Sequence, residues 1–217
     1  MALIWLQDFG SPFYIAVRAK APGRAFKMVK LRSMVKNADR KGGASTAGDD
    51  RRITWVGRLI RKTKFDEVPQ LVNVLVGDMS LVGPRPQVVR DLAFYTEEEF
   101  HLFDARPGIT DFSSIVFSDE GDILEGSENP DLRYNQVIRP WKSRLGLFYA
   151  RHQGIWIDLQ LIFLTVLAIV SRSHALRGVQ ALLRKREASE ELITVAGRTR
   201  PLIPFPPPGA DIVETRY

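Results

Sequence analysis

No apolar run in this chain reaches the roughly 20 residues that a membrane-spanning helix needs. The nearest approach is 155–170, interrupted by Asp158, Gln160 and Thr165. A run of that length suits a buried core helix or one lying in a membrane interface, and the residues leave both readings open. Lys142 and Arg151 precede it, and Arg172, Arg177, Arg184, Lys185 and Arg186 follow, a setting that would also suit an anionic lipid surface. Residues 1–6 form a shorter apolar stub with no basic segment ahead of it. The stub does not read as a signal peptide and looks instead like the remnant of a longer segment.

Proline and glycine divide the first half of the chain into short elements. Gly10-Ser11-Pro12 and Pro22-Gly23 mark turns, with an apolar stretch at 13–17 and alternating apolar and basic residues at 25–32. That pattern predicts a β-hairpin with one basic edge. Residues 37–52, with Gly42, Gly43 and Gly48, read as a mobile surface loop. An amphipathic helix with a basic face is expected over 53–63, and a second helix beginning at Asp66-Glu67-Val68-Pro69 and stopping at Gly77. Rigid turns follow at Gly83-Pro84-Arg85-Pro86 and Arg106-Pro107-Gly108. Beyond them the pattern predicts a helix over 88–103, an irregular acidic stretch over 112–129, and helical segments over 134–170 with a break at Gly154. A basic-leaning helix is expected over 172–191. The proline-rich segment 201–217 is expected to be a disordered, polyproline-type tail.

There is no cysteine, and the three histidines, His101, His152 and His174, lack metal-ligand spacing. A thiol nucleophile, a disulfide scaffold and cysteine-ligated metals are excluded, so a metal would be held by oxygen ligands. Lysine and arginine number 31 against 25 acids, a formal net charge of +6, which points to an anionic partner. No nucleic-acid module accompanies that charge, so no nucleic-acid partner is expected.

Asp66 and Glu67 are neighbouring carboxylates at an expected helix start, with Arg58, Arg61, Lys62 and Lys64 just upstream. The helix dipole and these cations should keep a carboxylate ionised, able to act as a nucleophile or to hold Mg²⁺. Taken alone, the pair is equally an N-cap and a first-turn acid. Arg85 lies between two prolines and Arg106 precedes a Pro-Gly turn. Backbones so fixed can aim a guanidinium at a phosphate, although either arginine could simply cap a helix or sit in water. Lys30 and Arg32 are two apart on a predicted strand and share one face, either a phosphate-facing edge or the wet side of a hairpin.

Together, Lys30-Leu31-Arg32-Ser33-Met34, Asp50-Arg51-Arg52-Ile53-Thr54-Trp55-Val56-Gly57-Arg58, Asp66-Glu67-Val68-Pro69-Gln70-Leu71, the run from Asn73 through Gly83-Pro84-Arg85-Pro86, and Arg106-Pro107-Gly108-Ile109-Thr110 resemble the bacterial sugar transferase family. These are monotopic phosphoglycosyl transferases that initiate exopolysaccharide, O-antigen and glycoconjugate assembly. The resemblance implies an α/β (α+β) fold, a small hairpin sheet surrounded by helices, with amphipathic helices at a membrane interface. It implies transfer of a sugar-1-phosphate from a nucleotide-diphosphate sugar to a polyprenyl phosphate, at the cytoplasmic face of a bacterial inner membrane. By the same resemblance Asp66 is the nucleophile and Glu67 its partner, Mg²⁺ held by Asp66 and Glu67 serves the diphosphate, and Lys30, Arg32, Arg58, Arg85 and Arg106 bind phosphate or nucleotide. Asp111 stands where a glycine is usual, and only 1–6 remain of the usual membrane hairpin. The expected divisions are a membrane-segment remnant at 1–10, a catalytic domain at 11–172, a basic helical extension at 173–200 and the tail at 201–217, with a homodimer among the admissible assemblies. The competing reading is a truncated, non-catalytic paralogue that docks on a glycan-assembly partner or a membrane.

Overall fold

The structure, a computed structural model, describes residues 1–215. A short helix α1 (Ala2–Leu6) leads into an antiparallel hairpin of β1 (Phe13–Ala21) and β2 (Arg24–Leu31). The register pairs Phe13 with Leu31 and Arg18 with Phe26. Gly23 supplies the left-handed φ of +70° that the Pro22-Gly23 turn requires. Residues 37–52, expected to be a mobile loop, are tied down by the Arg52 guanidinium, which donates to the Asp50 carboxylate and to the carbonyls of Ala38 and Gly43. Helix α2 (Trp55–Lys62) follows, capped by Thr54, whose hydroxyl accepts from the Gly57 amide.

The expected helix start at Asp66 is displaced. Lys64, at φ 59°, turns the chain into a 3-10 turn at Phe65–Glu67, and α3 (Gln70–Leu75) begins only after Pro69. Asp66 and Glu67 therefore sit on a tight turn ahead of the helix. The chain then forms β3 (Ser80–Val82) and β4 (Gln87–Val88), and β4 pairs with β1 on the side opposite β2.

Residues 88–103 do not form one helix. A 3-10 segment at Val89–Phe94 is followed by α4 (Glu97–Phe100), whose Thr96 and Glu99 complete a capping box. Glu99 also reaches inward to a buried ion pair with Arg139. Strand β5 (Gly108–Thr110) runs parallel to β3, Ser80 opposite Gly108 and Val82 opposite Thr110. Here the two Pro-Gly turns are stitched together. A Cβ on Gly83 would lie 2.1 Å from the Arg106 carbonyl oxygen, and one on Gly108 would lie 2.1 Å from the Gly83 amide nitrogen. Only glycine permits that approach, which is how the turn bearing Arg85 is anchored.

The expected irregular stretch 112–129 contains helices α5 (Phe112–Val116) and α6 (Glu120–Leu124). Asp111 caps α5 by accepting from the Ser114 amide at 2.7 Å, while Phe112, Ile115, Val116 and Leu124 are fully buried. The i, i+3, i+4 spacing of the first three is a helical stripe, obscured in the sequence because it spans little more than one turn and a run of acids and glycines follows. Helix α7 (Pro130–Arg133) and a π-turn at Tyr134–Ile138 lead to α8 (Arg139–His152), and the break expected at Gly154 separates it from α9 (Ile155–Val170). Helix α10 (Arg172–Lys185) and α11 (Glu190–Ala196) complete the order.

Two apolar clusters hold these parts. The larger draws on α5, α6, α8, α9, α10 and α11, with Leu145, Leu161 and Leu183 at its centre, so the basic segment after 172 shares a core with the helices before it. The smaller contains Ala16, Phe26, Met28 and Met79, between the hairpin and the α3–β3 connection. Helix α9 is buried along one face and exposed along the other. Ile157, Leu161 and Leu164 form a buried stripe, while Trp156, Leu159, Phe163 and Val166 are exposed. Among the described residues no helix is long and apolar enough to cross a membrane.

The tail is not disordered over its described length. Phe205 lies against Trp141 with ring centroids 4.5 Å apart, and its amide donates to the Gln136 carbonyl at 3.0 Å. Arg144 and Thr96 donate to the carbonyls of Pro206 and Pro208. Prolines with fixed φ lose little entropy on docking, and their carbonyls, unpaired in an extended chain, are free to accept. Arg216 and Tyr217, which share the expectation of disorder, lie outside the described residues.

Candidate active site

Glu67 is the hub of a charged clamp. Its Oε1 accepts from Lys30 Nζ at 3.0 Å and from an Arg85 guanidinium nitrogen at 2.7 Å. Lys30 is delivered by β2, Arg85 by the anchored Pro-Arg-Pro turn, and Glu67 by the 3-10 turn, so the clamp joins three separate elements. Burial alone would raise the Glu67 pKa, but Arg85, Lys30 and Lys64 overcome it and hold the carboxyl well below its usual range.

Asp66, one residue away, behaves differently. Its Oδ1 is buried with no hydrogen-bond partner, and desolvation together with the negative charge of Glu67 pushes its pKa up. The expectation that dipole and cations would dominate is corrected here. Lys30, Arg61 and Lys64 act in the expected direction, but desolvation and the neighbouring carboxylate win. The result is an ionisable oxygen without a protein ligand, beside a carboxylate already committed to two cations.

A cavity of about 430 Å³ opens over this pair. Five cations, Lys30, Arg61, Lys64, Arg85 and Lys142, share it with three carboxylates, Asp66, Glu67 and Glu120. Lys142 and Glu120 form their own ion pair across α8 and α6. The outer wall is apolar, built from Val68, Leu71, Leu81, Ile109, Ile162 and Val166. It leads to the exposed apolar residues of α3 and α9, including Val72, Leu75, Leu159 and Phe163. A second cavity of about 660 Å³ meets the first at Lys30, Arg61, Asp66, Arg85, Glu120 and Lys142, and extends past Arg18, Gln87 and Tyr134. Asp66 thus lines both a polar basin and an apolar groove.

Three of the sequence-predicted residues besides Asp66 converge here: Glu67, Lys30 and Arg85. The others do not. The Arg32 guanidinium is engaged by Asp8 and by the carbonyls of Ser11 and Ile4, fastening α1 to the hairpin. Of the two residues expected on one edge, Lys30 reaches Glu67, whereas the Arg32 guanidinium is taken by Asp8. Arg58 is exposed on α2 and Arg106 is exposed after α4, and neither lines a cavity over the dyad. What Arg106 contributes is its backbone, packed on Gly83.

Sequence reasoning missed Glu120, Lys142 and Gln70 as site residues. Glu120 and Lys142 come from segments with no shared motif. Gln70 stood inside the quoted Asp66–Gln70 motif. It is 1% exposed, with its Nε2 buried and without a partner, and it lines the polar basin beside Asp66.

Among the described residues no group of three or more His, Cys, Asp or Glu side chains converges on a metal position. Mg²⁺, however, is commonly held by one or two carboxylates completed by substrate phosphates and water. The unpartnered Asp66 Oδ1 fits that mode, whereas Oε1 of Glu67, the other expected ligand, is taken by Lys30 and Arg85. With five cations around it, the site suits a metal that arrives together with a diphosphate.

The site thus joins a cation-rich basin bearing carboxylates to an apolar wall. The sequence profile described as bacterial sugar transferase matches residues 1–172, and the chain belongs to that family. It is 37% identical over 158 residues to the uncharacterized sugar transferase EpsL of Bacillus subtilis (strain 168), covering 72% of this chain and 69% of EpsL. It is 32% identical over 176 residues to the UDP-N-acetylgalactosamine-undecaprenyl-phosphate N-acetylgalactosaminephosphotransferase of Aeromonas hydrophila, covering 78% of this chain and 38% of that protein. Similarity to the UDP-glucose:undecaprenyl-phosphate glucose-1-phosphate transferase of Escherichia coli (strain K12) is 34% over 165 residues, covering 74% of this chain and 33% of that protein. The chain therefore spans little more than a third of the length of the last two relatives.

Proposed function

We propose that this chain transfers a sugar-1-phosphate from a nucleotide-diphosphate sugar to a polyprenyl phosphate, with Asp66 as a covalent nucleophile. The observation that carries this reading is the division of labour in the dyad, with Glu67 locked by Lys30 and Arg85 and Asp66 left with a buried, unpartnered oxygen. In the first half-reaction an Asp66 carboxylate oxygen bonds to the sugar-bearing phosphorus. The bond from that phosphorus to the bridging oxygen breaks, and the electron pair leaves with the nucleoside monophosphate. In the second, a phosphate oxygen of the polyprenyl phosphate attacks the same phosphorus, the acyl-phosphate bond breaks, and Asp66 returns as a carboxylate. Neither step requires a proton from the protein. Dividing the displacement lets a water-soluble nucleotide and a lipid use one site in turn.

A carboxylate approaching a diphosphate meets repulsion, and Lys30, Arg61, Lys64 and Arg85 offset it as fixed positive charge. Mg²⁺ held at Asp66 Oδ1 and by the diphosphate, with Glu67 nearby, would neutralise further charge on the leaving phosphate. The apolar groove and the exposed faces of α3 and α9 are the means of docking on a membrane, so that the polyprenyl phosphate enters from the lipid side. A donor that is a water-soluble nucleotide sugar supports a location at the cytoplasmic face of a bacterial inner membrane. The complete clamp weighs against a non-catalytic paralogue, for which an unsatisfied buried oxygen on Asp66 would be a cost with no return.

The test uses the full chain with vesicles of anionic phospholipid and undecaprenyl phosphate, with which the protein should cosediment. Mixed with a panel of nucleotide sugars and Mg²⁺, it should release nucleoside monophosphate, and mass spectrometry of quenched protein should find a phosphosugar adduct on Asp66. Product formation with no adduct there, or near-normal turnover by Asp66→Asn, would refute the covalent route.

A further inference from the structure

Arg18 is a half-buried arginine with no hydrogen bond or ion pair to any described residue. It is fixed on β1 opposite Val88 of β4, and its neighbour Ala19 is opposite Gln87. Because β4 begins just after the Pro84-Arg85-Pro86 turn, this strand pairing sets Arg18 beside Arg85 on the wall of the polar basin. Most other cations on that wall are already matched: Arg32 by Asp8, Arg52 by Asp50, Arg139 by Glu99 and Lys142 by Glu120. Arg18 is not. Burial and the charge of Arg85 both disfavour its cationic form, and the Asp91 charge it senses does not bond it.

Two neighbouring guanidiniums, one without a counter-ion and partly desolvated, form an arrangement that an anion would complete. The position of Arg18 indicates which anion. Lys30, Asp66 and Arg85 line both cavities, but Arg18 lines only the polar basin and is absent from the apolar groove. It therefore lies on the side of the reacting carboxylate away from the lipid-compatible wall. A diphosphate donor with its sugar-bearing phosphorus at Asp66 would extend its second phosphate into the basin.

We propose that Arg18, together with Arg85, binds the nucleotide-side phosphate of the diphosphate donor and retains it in the departing nucleoside monophosphate. This rests on the transferase reading, and it adds a donor-selective subsite. Arg85 serves both half-reactions, while Arg18 serves only the one that involves the nucleotide. The guanidinium forms hydrogen bonds to non-bridging phosphate oxygens and takes part in no bond change.

The experiment compares the full-length wild type with Arg18→Ala and Arg18→Lys. Binding of uridine 5′-diphosphate, and of the ADP, GDP and TDP analogues, is measured by calorimetry with Mg²⁺ present, followed by steady-state kinetics with the preferred donor. Loss of charge-assisted hydrogen bonds should weaken nucleoside diphosphate binding and raise the donor KM by about 10- to 100-fold. The undecaprenyl phosphate KM should stay within about twofold, because the acceptor does not use this subsite. Arg18→Lys should recover part of the loss. Thermal melting of Arg18→Ala should match or exceed that of the wild type, since a cation without a partner is removed. Nucleotide affinity in Arg18→Ala within about twofold of wild type would overturn the assignment alone, as would equal losses on donor and acceptor. Failure of the wild type to bind any of the four nucleotides would overturn the transferase reading and this subsite with it.

Discussion

The residues up to β5 and the helices from α5 onward are built on opposite principles. The first part is a set of short elements around a small apolar cluster of Ala16, Phe26, Met28 and Met79, and ion pairs and glycine-mediated backbone contact do much of the holding. The second is a helical body whose core runs through α5, α6, α8, α9, α10 and α11, with Leu145, Leu161 and Leu183 wholly buried. There Arg139, 3% exposed, is matched by Glu99 of α4, which also accepts from the Ser143 hydroxyl, while buried nitrogens of Arg186 and Arg198 have no hydrogen-bond partner. In the site-bearing part a carboxylate oxygen on Asp66 and an amide nitrogen on Gln70 are buried unmatched. The contrast is sharpest between two carboxylates: Glu99, packed against α8, has both oxygens engaged, whereas Asp66 keeps a buried oxygen without a partner.

That contrast can be broken most directly at Asp66. Asp66→Asn should lower turnover by roughly 10⁴-fold or more, as expected when a covalent nucleophile is removed. Its melting temperature should stay level or rise, because the substitution removes a buried charge that lacks a partner. Arg139→Met should do the reverse. It leaves Glu99 buried and unpaired, at about 3–5 kcal/mol of lost stability, measured by urea denaturation. Under strongly stabilising conditions the protein that remains folded should keep nearly full specific activity. A large loss of stability in Asp66→Asn, or a chemical defect in folded Arg139→Met, would erase the distinction between the two regions.

The same distinction governs what could be read from the sequence. The hairpin, the Gly154 break and the Asp66-Glu67 site are legible because turn residues and motif spacing act locally. The helices over 112–129 were hidden, since the stripe of Phe112, Ile115 and Val116 spans little more than one turn and is followed by a run of acids and Gly121 and Gly126. The single helix expected over 88–103 is broken at Tyr95 and Thr96, both in the β region, where Thr96 and Glu99 form a capping box that starts α4. The engagement of Arg32 was hidden because its partner Asp8 lies 24 residues away. The pKa ordering within the dyad depends on burial, which no local pattern reveals. Resemblance supplied the expectation that Asp66 is the nucleophile, and the structure adds the asymmetry between the two carboxylates.

A subtler test concerns how the two carboxylates influence each other. The Asp66 pKa is raised above the ordinary aspartate value, by desolvation first and by Glu67 second. Activity that needs ionised Asp66 should therefore fall off, as pH drops, above the ordinary aspartate range. Removing the Glu67 charge in Glu67→Gln should move that acid limb to lower pH, even as loss of the clamp lowers kcat by about 10²-fold. Stability responds with the opposite sign. Glu67 has a folded pKa well below its unfolded value near 4.5, so it stabilises at neutral pH and its contribution disappears as pH falls from that value toward the folded pKa. Glu67→Gln should accordingly flatten the acid side of the stability profile, checked by urea midpoints at successive pH values. An acid limb that moves upward in this variant would mean that Glu67 helps to ionise Asp66 rather than opposing it.

The smallest effect is expected where the helical body receives the tail. Phe205 is only partly buried, but its ring packs on Trp141, and the Arg144 guanidinium lies 4.8 Å from its centroid. Phe205→Ala removes that contact while leaving intact the backbone hydrogen bonds from Arg144 to Pro206 and from Thr96 to Pro208. The tail should then loosen without leaving, at a cost of about 1 kcal/mol, which lowers the melting midpoint by about 2–4 °C for a chain of this size. Because the tail touches α8 on a surface remote from the dyad's charge network, donor and acceptor KM values should not change. Hydrogen exchange should show faster exchange at the Phe205 amide, whose acceptor is Gln136. A KM change larger than the stability change would mean that α8, which also carries Lys142 into the cavity, transmits tail docking to the site. In that case the helical body would be part of the catalytic apparatus and not only its support.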